Sequence, residues 1–237
     1  MFKPGEKTAY TGLEGYPWNN ELIGYYLANM AAVVSLMPDP PAKVLDVGCG
    51  PGFTSHFLAM RGHNVTGLDV NSDVLALARA RTSDRGSMQF FEHDYEEVFC
   101  TEEMDAVLFH DSLHHGVRQE FALRTAFTAL KPGGICVVCE PGVGHSWSPF
   151  AQKFAREHDV TEKSTPPYKV ARIGRAVGFK VKSVHPHFGT LQKTLFKPEE
   201  ITSLPHWIIN RLRFSSLTHL AGKWLHGIIV LRKPARN

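Results

Sequence analysis

Several things are scarce in this chain of 237 residues, and each scarcity excludes a class of protein. Four cysteines are too few for a disulfide framework. They read as reduced, buried thiols of a cytoplasmic protein. Cys136 and Cys139 form a C-x-x-C, but they lie on an expected strand. Residues three apart on a strand point to opposite faces, so the pair is poorly placed to share a metal. Excess charge is also missing: 26 Lys and Arg stand against 23 Asp and Glu, a net charge of +3. That balance alone is no nucleic-acid footprint, and no RNA-binding module is recognisable. No apolar run is long enough to span a bilayer, and residues 1–15 are polar and glycine-punctuated rather than leader-like. Internal repeats and low-complexity segments are absent as well. A soluble protein is expected.

What is present is a core-forming composition with an alternating pattern. Hydrophobic residues make up 43% of the chain, enough for one large domain or a domain with a small cap. Apolar runs predict strands over 43–48, 64–70, 88–92, 104–110, 135–139, 179–185 and 227–231. Helical periodicity falls between them, over 53–61, from Asn71 or Ser72 to Arg81, over 118–130 with Phe121, Leu123, Phe127 and Leu130 apolar, and over 166–177. The run Lys131, Pro132, Gly133, Gly134 reads as a break. Short strands separated by helices predict an α/β, doubly wound, largely parallel sheet with helices on both faces. In such sheets, ligand loops gather at the carboxyl ends of the strands.

The first strand ends in an unusual loop: Val44, Leu45, Asp46, Val47, Gly48, Cys49, Gly50, Pro51, Gly52. Glycine at every second position lets backbone approach a ligand closely, and the helix that follows aims its N-terminus at the same place. A dinucleotide loop has the spacing G-x-G-x-x-G. Here Phe53 stands where the third glycine belongs, and Gly52 comes one position early, which disfavours a nicotinamide oxidoreductase. Asp69 closes the second expected strand, where an acid can accept hydrogen bonds from both ribose hydroxyls.

The pattern D-x-G-x-G-x-G resembles the first motif of the class I, seven-stranded, Rossmann-like S-adenosylmethionine-dependent methyltransferases of the small-molecule type. The resemblance is close over residues 44–140 and looser beyond. It implies a seven-stranded sheet with one antiparallel strand. It also implies a cofactor site, with Asp46 at the methionine ammonium group and Gly48, Cys49, Gly50 and Gly52 in the loop. Asp69 would hold the ribose, Val70 and Tyr95 would line the adenine, Asp94 would meet its amino group, and His110 would border the methionine portion. Family members often carry L-H-H where this chain has Leu113, His114 and His115. A near-neutral histidine is a natural general base for an acceptor that must lose a proton, so His114 or His115 is the expected catalytic residue. A metal held by His110, Asp111, His114 and His115 is not expected, because the cofactor would occupy the first two.

Two regions fall outside this core. Residues 1–40, with Tyr10, Tyr16, Trp18, Tyr25 and Tyr26, are expected to form helical cover over the cofactor site, the methyltransferase domain filling residues 41–237. Substrate-side insertions are expected at about 141–165 and 187–226. In the first of them Glu140, Pro141 and Gly142 should border the acceptor pocket. Trp147, Phe150 and Phe154 read either as substrate cover or as a core-packing helix. From Lys180 to Asn237, ten Lys and Arg face two acids. That excess suits an anionic partner such as a membrane surface, or simply a solvated face. The function expected is O-methylation of a small-molecule, glycan or lipid-linked acceptor. The alternative is a non-catalytic cofactor-binding protein on the same fold.

Overall fold

The structure is a computed structural model that describes residues 15, 17–18, 23–81, 83–158, 160–185, 187 and 225–236. The chain runs through α1 (Ile23–Leu36), β1 (Lys43–Val47), α2 (Phe53–Met60), β2 (Asn64–Asp69), α3 (Ser72–Arg79) and β3 (Met88–Glu92). It continues through β4 (Met104–His110), α4 (Gln119–Ala129), β5 (Leu130–Cys139), α5 (Pro149–His158), α6 (Pro167–Val177), β6 (Lys180–His185) and β7 (Ile228–Arg232). Seven strands make one sheet in the order β3-β2-β1-β4-β5-β7-β6. The first five are parallel, and β7 runs antiparallel to both of its neighbours. This is the expected doubly wound sheet with one antiparallel strand.

The central strands are apolar on both faces because both faces are covered. Leu45, Val47, Val107, Phe109 and Val138 pack with Leu123 and Ala126 of α4 and Val170 of α6. Val44, Ala106, Leu108 and Val137 face the other way, onto Met30 and Val33 of α1 and Leu58 of α2. The two C-x-x-C thiols divide between these layers, Cys136 in the first and Cys139 in the second, and both are free. The strand geometry therefore does separate them. Asn71 caps α3, its side chain accepting from the N–H groups of Asp73 and Val74 at 2.9 and 3.1 Å.

The structure departs from the expected elements in three places. The run from Lys131 to Gly134 is not a break but the start of β5, which begins at Leu130. The register against β4 slips there, between Met104 and Ala106. Gly133 donates to the Lys233 carbonyl at 3.0 Å and Lys233 donates back to Gly134 at 2.9 Å, so the run becomes a sheet edge through the distant C-terminal segment. Phe121 lies off the buried face of α4, 42% exposed, with the Arg118 guanidinium 4.2 Å above its ring. The basic C-terminal segment is also less free than its charge count implies. Lys233 is buried and donates to the carbonyls of Phe127 and Leu130 at 2.9 and 2.8 Å and to Glu102 at 3.3 Å. Arg236 pairs with the same Glu102. Most of the insertion at 187–226, and Tyr10 and Tyr16, lie outside the described residues. Among the described residues no helix is long and apolar enough to cross a membrane.

Candidate active site

The direction of chain winding reverses between β1 and β4, and open α/β sheets bind ligands in the crevice beyond such a pair. A cavity of about 500 Å³ opens at that point. One side is the loop after β1, with Gly48, Cys49, Gly50 and Pro51; Asp69, Val70 and Tyr95 stand beside it. The far end carries His110, Asp111, Ser112, His114 and His115 from the end of β4 and the loop that follows. Gly48 has φ +68°, and a Cβ there would lie 2.5 Å from Ser112 Cβ. Only glycine lets the two loops come this close. Asp69 accepts from Gly50 N–H and Asn71 N–H, each at 2.9 Å. Burial pushes its carboxyl up, against the pull of these backbone bonds.

Three of the expected cofactor-side residues do not line the cavity. Asp46 is 1% exposed and lies behind the loop, where its Oδ2 accepts from Thr54 Oγ1 at 2.5 Å and Ser55 Oγ at 2.6 Å. It ties β1 to the first turn of α2. Gly52 has φ +77°, and a Cβ there would stand 2.9 Å from Ala78 Cβ, so this glycine serves the packing of α2 against α3. Asp94 accepts from Glu96 N–H at 2.9 Å and shapes the turn after β3. The other expected residues, Gly48, Cys49, Gly50, Asp69, Val70, Tyr95, His110, His114 and His115, all meet at the cavity.

The sequence reading missed a network at the far end. Glu140, 2% exposed at the end of β5, accepts from the N–H groups of Ser112 and Leu113 at 2.8 and 2.7 Å. Its Oε2 lies 2.6 Å from His114 Nδ1. One carboxylate thus sets both the backbone and the ring of the loop after β4. Glu162 closes the other side, with its oxygens 3.6 Å from His114 Nε2, 3.5 Å from His115 Nδ1 and 2.6 Å from His145 Nε2. Burial alone would lower the pKa of His114, but Glu140, Asp111 and Glu162 outweigh it and hold the imidazole above its ordinary value. His115 goes the other way. Burial and the charge of His114 pull it below its ordinary value. Its Nδ1 lies 3.0 Å from the Thr161 carbonyl, which can only accept, so the proton sits on Nδ1 and Nε2 carries the lone pair. The two adjacent histidines are therefore pushed in opposite directions.

Aromatic cover completes the site. Tyr25 and Tyr26 of α1 and Phe150 and Phe154 of α5 line the same cavity. Tyr25 Oη donates to Asp111 at 3.4 Å and lies 3.2 Å from His187 Nε2. Trp147 is 74% exposed and stays outside.

Residues 45–138 match a family model described as a methyltransferase domain. The ubiquinone biosynthesis O-methyltransferase of Pseudomonas savastanoi pv. phaseolicola is 35% identical over 95 residues, which cover 39% of this chain and 41% of that protein. The matched stretch is thus about two-fifths of the curated relative's length. Among solved structures, the chain is similar to one from the complex of the Haloferax volcanii Trm112 methyltransferase activator with a methyltransferase. There the TM-score is 0.66 at 16% identity, covering 94% of this chain and 96% of that one. It is also similar to Haemonchus contortus phosphoethanolamine N-methyltransferase 2 in complex with phosphomonomethylethanolamine and S-adenosylhomocysteine. That match has a TM-score of 0.66 at 19% identity, covering 97% of this chain and 59% of the other. At these identities the structural likeness is one of fold.

Proposed function

We propose, from the premise that this chain belongs to the class I S-adenosylmethionine-dependent methyltransferases, that it moves a methyl group from that cofactor to an oxygen of a small, hydroxyl-bearing acceptor. The observation that carries the reading is the cavity itself. It joins the glycine loop and Asp69 at one end to the paired histidines His114 and His115 at the other.

The residues present suit the cofactor. Nε2 of His110 and Oγ of Ser112 are buried with no hydrogen-bond partner among the described residues, and both residues line the cavity. Buried polar atoms are rarely left unpaired, so a polar ligand group belongs there, as the methionine end would supply. Asp69 has lone pairs left to accept from ribose hydroxyls, and Val70 and Tyr95 would flank the adenine. Asp46 acts through the loop that it braces, and Asp94 through the turn that it shapes. When bound, S-adenosylmethionine supplies an electrophilic methyl group on a sulfonium. His115 Nε2 takes the proton of the attacking hydroxyl, while His114, held by Glu140, fixes the loop beside it. Tyr25, Tyr26, Phe150 and Phe154 suit an acceptor with an apolar or flat body, such as a phenol or a lipid-linked ring. The O-methyltransferase name of the matched relatives supports oxygen as the attacking atom. Tyr25 and Tyr26 of α1 and Phe150 and Phe154 of α5 would cover the reacting groups.

The test is turnover with labelled cofactor over phenols, sugars and lipid-linked glycans. Methylated product is expected, with kcat falling at least about 100-fold in His115→Ala while cofactor affinity is kept. Cofactor binding with no product across that panel would replace this reading with that of a cofactor-binding protein.

A further inference from the structure

The far end of the cavity holds more ligand atoms than proton transfer needs. His114, His115 and Glu162 each offer one donor atom, and these atoms lie within 4.8 Å of one another. His114 Nε2 and Glu162 Oε2 are 3.6 Å apart. Donors around a tetrahedral zinc ion at its usual bond lengths stand about 3.4 Å from each other, so modest side-chain rotation would close the set. Each donor is also held from outside the trio. Glu140 grips Nδ1 of His114 at 2.6 Å, the Thr161 carbonyl holds the His115 ring, and His145 Nε2 lies 2.6 Å from Glu162. A carboxylate or carbonyl behind each imidazole is the arrangement that orients histidines toward a metal.

We propose that His114, His115 and Glu162 form a binding site for a divalent transition-metal ion of the zinc class, open toward the cavity where the acceptor arrives. Two imidazoles and one carboxylate suit borderline ions rather than magnesium or calcium, which prefer oxygen. The objection to a metal on the sequence was that His110 and Asp111 belong to the cofactor. The trio uses neither of them, and it brings in Glu162 from the loop before α6. The inference goes beyond methyl transfer and is read without turnover.

The experiment is a titration of the chelator-treated protein with Co²⁺, followed by its visible absorption, and with Zn²⁺ by calorimetry. One ion per chain is expected, with the intense visible bands of low-coordinate Co²⁺. Binding should weaken at least 100-fold in Glu162→Gln and in His115→Ala, and by about 10- to 100-fold in Glu140→Gln. S-adenosylhomocysteine binding by each variant confirms that it is folded. No stoichiometric binding, or binding unchanged in all three variants, overturns the site. Neither result touches methyl transfer, which is measured separately with chelator present.

Discussion

At the scale of single residues, buried carboxylates organise the histidine end of the site. Glu140 is the clearest. Burial pushes its carboxyl up, but His114 and the backbone N–H groups of Ser112 and Leu113 hold it below the usual range. Glu140→Gln keeps an acceptor for the backbone and removes the charge. We expect it to cost about 1–3 kcal/mol in denaturant unfolding, less than breaking a buried ion pair outright, because His114 can shed its proton. His115 gives a second test. Its pKa lies below 6.5, so it is neutral and able to accept a proton at pH 7. In chelator-treated enzyme the acid-side loss of rate should therefore be centred below 6.5. A loss of rate centred above 6.5 would assign the proton to another group. Glycine, Asp69 and the histidine pair were legible in the sequence because local order places them: each follows a strand. Glu140 was expected beside the acceptor pocket, but its pairing with His114, and Glu162 altogether, were not legible, since these partners lie 26 and 48 positions apart and only the folded sheet brings them together.

At the scale of elements, two glycines of one loop do different work. Gly48 brings the loop after β1 against the loop after β4, and Gly52 sets α2 against α3. Both have positive φ, which adds about 1 kcal/mol or more of strain to any side chain. Gly52→Ala should lower stability and leave cofactor affinity per folded molecule nearly unchanged. Gly48→Ala should push Ser112 away and weaken the cofactor at least tenfold; equal effects of the two changes on affinity would refute this division. The spacing of the motif identifies the loop but cannot separate these roles, which depend on what each missing Cβ would strike. The same limit explains Lys131 to Gly134. Proline and two glycines read locally as a break, whereas hydrogen bonds from the segment after β7 make the run part of a strand. The other strands, and α2, α3, α4 and α6, were placed within one or two residues of their ends, whereas α1 and α5 were expected only as cover without bounds.

At the scale of the whole molecule, the C-terminal segment closes the fold as well as carrying charge. Lys233 reaches across to α4 and the start of β5 and satisfies two carbonyls there. Lys233→Ala would leave them without that donor and should cost about 1–3 kcal/mol, lowering Tm by roughly 2–4 °C for each of these in a chain of this size. An unchanged Tm would return Lys233 to the solvated face that the charge count suggests. The sheet order, its antiparallel strand and the cavity between β1 and β4 together make one arrangement, in which the glycine loop faces the histidines across a single space. The most direct test that this space is a methyl-donor site is calorimetric titration of the protein with S-adenosylhomocysteine, alongside Asp69→Ala. The account predicts one site per chain with micromolar affinity, weakened by about 10- to 100-fold in the variant, as expected for losing hydrogen bonds to a charged group. Absence of binding, or equal binding by both proteins, would contradict it.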